Sequence, residues 1–86
     1  MSKKIIWTIH ADGKFSAFKA IGFPISRKQV IDAILKPDKI SSQRDGTEIR
    51  QRVFNNEYLV RVVVASAVQG FRVITFYPGR RDRYEN

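Results

Sequence analysis

The segment 57–84, EYLVRVVVASAVQGFRVITFYPGRRDRY, constrains the fold of this chain more than any other. Apolar side chains occupy both parities between 59 and 65, which is typical of a strand buried on both faces. After the turn signal Gln69-Gly70, β-branched and aromatic residues alternate over 71–77, which indicates a second strand. The two segments therefore predict a hairpin at the centre of an antiparallel sheet.

The residues before this hairpin predict one strand, two helices and two further strands. We expect a strand at about 3–10, helices at about 14–22 and 26–36, and strands at 39–44 and 47–54. The second helix has the clearest start, because Ser26 and Gln29 form a capping box in which each side chain accepts from the other residue's backbone N–H. Pro37 ends that helix, since a proline disfavours helical geometry in the residue before it.

Together these elements predict an α+β fold, in which two N-terminal helices lie on one face of a mostly antiparallel sheet of four or five strands. A length of 86 residues leaves room for a single domain, 1–86. The core is expected to contain Val62, Val73, Trp7, Phe15, Phe18 and Phe76.

Positive charge dominates the composition. Sixteen Lys and Arg residues against eight Asp and Glu residues give a formal net charge of +8. An excess of this size in a small domain indicates a phosphate-bearing or acidic partner. The alternative is that the charge only keeps a soluble domain from aggregating.

The cysteine count and the hydropathy of the chain indicate the cellular compartment in which the protein is expected. The chain has no cysteine, so neither a disulfide nor a thiolate metal site is available. The apolar run near the N-terminus is too short for a signal peptide, and no stretch approaches the length of a membrane span. We therefore expect a cytoplasmic protein that has no membrane partner.

The usual catalytic motifs are absent from the sequence. One histidine, no cysteine and singly scattered carboxylates leave no cluster of metal ligands. Neither the G-x-S-x-G of serine hydrolases nor a glycine-rich phosphate or dinucleotide loop is present. The sequence therefore predicts neither a metal nor a cofactor.

Arginines within the strands are the first candidate binding residues. Arg50 and Arg52 lie two residues apart on one strand, so their side chains share a face of the sheet. Arg61 and Arg72 lie within the apolar hairpin, where a cation is costly unless its head reaches water or an anion. The alternative for each is a cross-strand ion pair with Glu48 or Glu57, or a head group that reaches water from a half-exposed face.

The last strand leads into a basic segment. Pro78-Gly79 is expected to end that strand and to hold the following residues on a fixed anchor. Tyr84 is either part of a disordered terminus or an aromatic that stacks on a base. The arginines of this segment, which extend the group on the strands into a phosphate-binding surface, are Arg80, Arg81 and Arg83.

His10 is the only histidine, and histidine is the residue type that titrates nearest to neutral pH. It lies where the first predicted strand gives way to the first helix. It is therefore a candidate general acid or base, with a packing or capping role as the alternative.

Several features, taken in chain order, carry a resemblance to a known superfamily. They are an N-terminal strand that ends in His10, a helix start formed by Ile25, Ser26 and Val30, a proline after Leu35, a Pro-Asp step, and the ending VITFYPGRRDRY. In this order the chain resembles the small toxins of the RelE, ParE and BrnT kind, and specifically a small toxin-like family among them. The resemblance covers nearly the whole chain.

The resemblance implies a RelE-like fold and a role in a type II toxin–antitoxin system. Many such toxins are metal-independent endoribonucleases, which cleave RNA by attack of a 2′-hydroxyl on the adjacent phosphate and are neutralised by a cognate acidic antitoxin. The catalytic residues it implies are His10, Arg81 and Tyr84. We expect the arginines described above to bind the RNA, namely Arg50, Arg52, Arg61, Arg72, Arg80 and Arg83.

Two functions of different classes stay open. The first is a toxin-like endoribonuclease, a hydrolase that acts on RNA, either free or on the ribosome. The second is a non-catalytic basic module that binds nucleic acid or, like ParE, an acidic protein partner. Arginine does not act as a general base, so His10 is the only ordinary base among the implied residues. A 2′,3′-cyclic phosphate product would distinguish the first function from the second.

Overall fold

A computed structural model describes residues 3–85 and contains five strands and three helices within that range. The strands are β1 Lys4–Trp7, β2 Lys39–Ser42, β3 Glu48–Val53, β4 Tyr58–Ala67 and β5 Gly70–Arg80. The helices are α1 Ile9–Ala20, α2 Arg27–Leu35 and α3 Arg81–Tyr84. None of these three helices has the length and apolarity that crossing a membrane requires.

The five strands form one open sheet in the order β1-β5-β4-β3-β2. From β2 to β5, each strand pairs antiparallel with the next one in the chain. At the opposite edge from β2, β1 pairs parallel with β5. The predicted α+β class and the four-stranded meander are therefore confirmed, and the β1–β5 pairing makes the sheet mixed.

The first helix begins at Ile9, rather than at about residue 14 as the sequence predicts. Thr8 is the reason for the difference. Its Oγ1 donates to the carbonyl oxygen of Val73 at 2.8 Å and accepts from the backbone N–H of Ala11 at 3.1 Å. The same side chain thus ties the end of β1 to β5 and caps the helix. The strand predicted at 3–10 consequently ends at Trp7.

The sequence predicts that the last strand ends at Pro78-Gly79. In the structure β5 continues to Arg80. Pro78 lies opposite Val60 of β4. On its other side β5 has no neighbouring strand at this level within residues 3–85, because β1 pairs only as far as Val73. A proline is tolerated where its missing N–H can face such an open edge.

Alternation along β4 and β5 divides the sheet into two faces. The core face is defined by five buried side chains: Val60, Val62, Val64, Val73 and Phe76. They form one cluster with buried residues of α1, α2 and the loop between them, which are Ala11, Ile25, Val30, Ala33 and Ile34. Apolar burial between these segments is the main source of stability in a domain of this size.

Aromatic rings surround this core. Phe15 packs against Phe76 with 4.6 Å between ring centroids, and Trp7 lies 5.4 Å from Phe15 in an edge-on arrangement. Phe18 lies 5.9 Å from Phe76. The sequence prediction of the core is therefore confirmed, since these rings pack on a cluster that contains the predicted valines.

The second helix begins with the predicted capping box. The backbone N–H of Gln29 donates to Ser26 Oγ at 3.1 Å, and the backbone N–H of Ser26 donates to Gln29 Oε1 at 2.7 Å. The helix ends at Leu35, shortly before Pro37. These local signals fix both ends of α2.

Replacing Val62 with alanine is expected to lower the free energy of unfolding by about 1–3 kcal/mol, because two methyl groups leave a fully buried site. Chemical denaturation measures the change. Val68→Ala is the matched control, since Val68 is fully exposed in the β4–β5 turn and should unfold like the parent protein. Equal effects of the two substitutions would contradict the assignment of the core face.

Candidate nucleic-acid interface

A cluster of four side chains occupies the outer face, which carries the residues of opposite parity to the core face. We call it the Arg61 cluster, and its members are Gln51, Arg61, Tyr77 and Tyr84. Arg61 Nε donates to Gln51 Oε1 at 3.2 Å, and Arg61 Nη1 donates to the Tyr77 hydroxyl at 3.1 Å. The guanidinium also lies 4.1 Å from the centroid of the Tyr84 ring. These neighbours on three sides fix its orientation.

The register of the sheet brings three of these residues together. Gln51 of β3 lies opposite Arg61 of β4, which in turn lies opposite Tyr77 of β5. Directly opposed residues point to the same face, with their Cβ atoms about 5 Å apart. A row of polar side chains across the three central strands is the result.

The fourth member, Tyr84, reaches the outer face through α3. Its ring lies on Gly79, where an added Cβ atom would stand 2.6 Å from Tyr84 Cε2. Arg81 holds α3 in place, because its guanidinium bonds Glu85 Oε1 at 2.6 Å and the Asn55 carbonyl oxygen at 3.2 Å. The absence of a side chain at residue 79 is thus what allows the tyrosine to lie flat against the sheet.

Arg61 has no acidic partner in the described part of the chain. No carboxylate between residues 3 and 85 lies within 4 Å of its guanidinium. Of the five N–H donors of a guanidinium, two are engaged by Gln51 and Tyr77. A partly buried cation that retains free donors and lacks a counter-charge is suited to an anion.

Lys14 of α1 supplies a second cation beside this cluster. Its Nζ donates to Thr75 Oγ1 at 2.9 Å and lies 5.9 Å from the centroid of the Tyr77 ring. The Arg61 guanidinium lies 5.7 Å from the same ring. Partial burial lowers the pKa of Lys14 from its ordinary value of 10.5. Both cations therefore lie close to the Tyr77 ring.

Arg50 and Arg52 share a face, as predicted, but it is the core face. Arg50 Nη1 donates to the carbonyl oxygen of Ile34, and Arg52 Nη1 donates to that of Lys36, both at 2.6 Å. These carbonyls belong to the C-terminal end of α2, where cations are stabilising. Arg50 also pairs with Glu48 at 2.9 Å, but the two residues lie on the same strand and do not form the cross-strand pair that the sequence left as the alternative.

Arg72 lies on the outer face with Arg61. It is exposed and lies opposite Ala65 of β4. Ala65 is four residues from Arg61, which is about 13 Å along an extended strand. Arg61 and Arg72, the two arginines predicted within the hairpin, therefore point to the same side of the sheet.

The basic segment after the last strand forms the single helical turn α3, as an ordered continuation of the sheet. Arg80 and Arg83 line a shallow depression together with Asp82. Arg80 Nε lies 3.6 Å from Asp82 Oδ1. Arg81, by contrast, is engaged by Glu85. The three arginines of this segment thus have different surroundings.

His10 lies apart from the other two residues predicted to be catalytic. It is exposed in the first turn of α1, next to Thr8, which bonds the Val73 carbonyl. Arg81 follows Val73 by eight residues, which corresponds to about 26 Å of extended chain. Arg81 and Tyr84 share α3, whereas His10 lies near the other end of β5. The structure therefore does not bring the three together.

Potential metal ligands are also dispersed. Within residues 3–85, the His, Asp and Glu side chains form no group of three that could hold an ion. What the Arg61 cluster and its surroundings offer is cation and hydroxyl chemistry, from Arg61, Lys14 and Tyr77.

Comparisons with known proteins return no similarity that could assign a function. No family model, no curated protein and no solved structure matches this chain. The Arg61 cluster and Lys14 are therefore the features on which a function has to rest.

The lowered pKa of Lys14 predicts a pH dependence of stability. Below 10.5 and above the folded-state pKa, the unfolded chain binds more protons than the folded one. The free energy of unfolding should therefore rise with pH through this window, relative to the variant Lys14→Met, which lacks the contribution. Denaturation of both proteins at a series of alkaline pH values measures the difference.

The control for this effect is Lys19→Met, because Lys19 is exposed on the same helix. This variant should follow the parent protein at each pH. Parallel stability curves for the parent protein and Lys14→Met would contradict the burial of the Lys14 ammonium.

Proposed function

We propose that the protein binds single-stranded RNA across the outer face of its sheet, with a phosphate group at Arg61. The observation that carries the proposal is the fixed guanidinium of Arg61, which lacks a carboxylate within 4 Å in the described range. Phosphate oxygens match the remaining donors of a guanidinium and form charge-assisted hydrogen bonds with them. The net charge of +8 attracts a polyanion at longer range.

The outer face also offers binding groups for neighbouring parts of an RNA strand. Arg72 lies on the same face, about 13 Å from Arg61 by strand geometry, and the Lys14 ammonium lies 5.9 Å from the centroid of the Tyr77 ring. Tyr84 is covered by the Arg61 guanidinium, so a base would stack on the guanidinium plane and not on the tyrosine. Single-stranded RNA, whose bases are free to splay out, suits such a surface better than a duplex.

The same proposal extends to the class of protein. The α+β fold, the five-stranded mixed sheet and the basic excess support a RelE-like toxin of a type II toxin–antitoxin system, which would be cytoplasmic and would be neutralised by an acidic antitoxin. A basic surface on the sheet, opposite the core face, is the feature that such an antitoxin would have to cover or displace.

Endoribonuclease activity is the second candidate, and the position of Lys14 favours it. Cleavage needs a base that takes the proton of the 2′-hydroxyl, an acid that protonates the leaving 5′-oxygen, and cations that stabilise the phosphorane. A lowered pKa gives the Lys14 amine a larger neutral fraction and makes it a candidate base. Tyr77 carries a hydroxyl that accepts from Arg61, the Lys14 ammonium lies 5.9 Å from the centroid of the Tyr77 ring, and Arg61 supplies the positive charge.

The variant Arg61→Gln tests RNA binding. It keeps a hydrogen-bonding side chain but removes the charge, so we expect the affinity for a fluorescent single-stranded RNA to fall about tenfold or more. The slope of log affinity against log salt should fall by about 0.7 for each phosphate that the variant no longer neutralises. Fluorescence anisotropy at several salt concentrations measures both quantities.

Arg44→Gln is the matched control for this experiment, because it removes the same charge from the exposed β2–β3 turn. An equal loss of affinity in Arg44→Gln and Arg61→Gln would mean that only net charge matters, and would overturn the assignment of the phosphate site to Arg61.

Cleavage is tested with Lys14→Ala and Tyr77→Phe. If the outer face is catalytic, a 5′-labelled RNA should yield a product that ends in a 2′,3′-cyclic phosphate, and an RNA with a 2′-deoxy sugar at the cut should resist. Each substitution is expected to lower the rate by about a hundredfold or more. A loss of activity in His10→Ala but not in Lys14→Ala would assign the base to His10 instead. No cleavage by the parent protein would leave RNA binding as the function.

A further inference from the structure

A second surface, unrelated to the Arg61 cluster, is an apolar cleft between the α1–α2 loop and the β3–β4 turn. We call it the aromatic cleft. Its volume is about 210 Å³. Its lining residues are Gly22, Phe23, Pro24, Phe54, Asn55 and Tyr58. No charged side chain is among them.

The end of α1 builds one wall of this cleft. Gly22 adopts a φ of +81°, a conformation that favours glycine, and its N–H bonds the Lys19 carbonyl at 3.1 Å. The N–H of Phe23 bonds the Phe18 carbonyl at 2.9 Å. These two bonds form a Schellman motif, which turns the chain out of the helix and fixes the backbone of Phe23.

The opposite wall belongs to the sheet. The ring of Phe23 meets Tyr58 edge-on, with 4.8 Å between centroids and an interplanar angle of 84°. It lies 5.7 Å from Phe54. The Phe23 ring thus contacts both of the other rings, so the cleft is pre-formed and does not depend on a ligand for its shape.

The size and chemistry of the cleft suit the anchor side chain of a peptide. Pockets for small-molecule ligands usually measure about 300–1,000 Å³, so this cleft is too small for most of them. Ile21, directly before the cleft in the chain, is 75% exposed and extends the apolar surface. Exposed apolar side chains beside a pre-formed apolar cleft are typical of a protein interaction site.

Cations border the cleft without entering it. The Arg80 guanidinium lies 5.8 Å from the ring centroid of Tyr58. Arg80 also lines a separate depression, together with Asp82 and Arg83. Arg80 and Asp82 are 57% and 76% exposed and 3.6 Å apart, so their pairing is weak and a carboxylate of a partner can replace it.

We propose that the aromatic cleft docks an acidic peptide segment of a partner protein, which inserts one aromatic or large aliphatic side chain and sets its carboxylates against Arg80 and Arg83. Charge complementarity selects this occupant. A second copy of the chain would bring together two proteins that each carry +8. RNA is the other anionic candidate, and an NMR titration distinguishes it from the peptide. The proposal does not rest on RNA binding at the outer face.

The test uses a fluorescein-labelled peptide, acetyl-Glu-Glu-Asp-Gly-Phe-Gly-Asp-Glu-Glu-amide, and the full chain. Anisotropy should show saturable binding, and replacing the phenylalanine of the peptide with alanine should lower the affinity about tenfold or more. In a titration followed by two-dimensional amide NMR, the peptide should shift the signals of Phe23, Phe54 and Tyr58. The signal of Arg61 should stay in place.

Two protein variants separate anchoring from charge. Pro24→Glu adds a carboxylate to the lining of the cleft and should abolish binding by repulsion. Arg80→Glu should weaken binding about tenfold or more, whereas Arg44→Glu, which changes the net charge equally at the far end of β3, should have a much smaller effect. Amide NMR spectra of the free variants check that they remain folded.

The proposal is overturned by any of four results. The first is equal binding of the phenylalanine and alanine peptides, and the second is binding of the peptide to Pro24→Glu as tightly as to the parent protein. The third is a peptide titration that shifts the NMR signal of Arg61 and leaves that of Tyr58 in place, which would assign acidic ligands to the outer face. The fourth is a titration with single-stranded RNA that shifts the NMR signals of Phe54 and Tyr58, which would make the cleft part of the RNA surface. Failure of RNA to bind anywhere would affect only the function proposed for the Arg61 cluster.

Discussion

The pairing of β4 with β5 is the constraint on which the rest of the structure depends. It sets Val62 against Phe76 on the core face and Arg61 against Tyr77 on the outer face. The core cluster and the candidate RNA surface are therefore two sides of one hairpin. A slip of one residue in this register would exchange the faces and expose the apolar side chains to water. The stability of the fold and the geometry of the site consequently have the same origin.

An irregularity in that hairpin decides which aromatic residue meets Arg61. Near the turn, Val64 lies opposite Val73, but its neighbour Val63 lies opposite Thr75, so one residue of β5 is unpaired. Without this bulge, the regular count from the turn would place Phe76 opposite Arg61. The bulge instead brings Tyr77 to the outer face, where its hydroxyl accepts from the guanidinium. A local insertion thus supplies the polar partner of the central cation.

The arginines of the chain have different roles. Arg50 and Arg52 hold the C-terminal carbonyls of α2, and they contribute to packing between helix and sheet. Arg81 ties α3 to the β3–β4 turn. Arg61 has hydrogen-bond partners in Gln51 and Tyr77, but within residues 3–85 no carboxylate lies within 4 Å of it. A count of basic residues does not distinguish these roles, since they differ only in what each guanidinium contacts.

The sequence by itself determined the features that depend on short-range pattern: the apolar hairpin, the capping box at Ser26, the valine core and the basic excess. Period-two alternation and capping chemistry are local, so they can be read within a few residues. The tertiary structure alone decided that Lys14 approaches Tyr77, that Arg50 faces α2 and that His10 lies far from Arg81. These relations join residues that are distant in the chain. They follow from how α1 and α2 lie against particular strands, and the pattern of either segment alone does not contain that information.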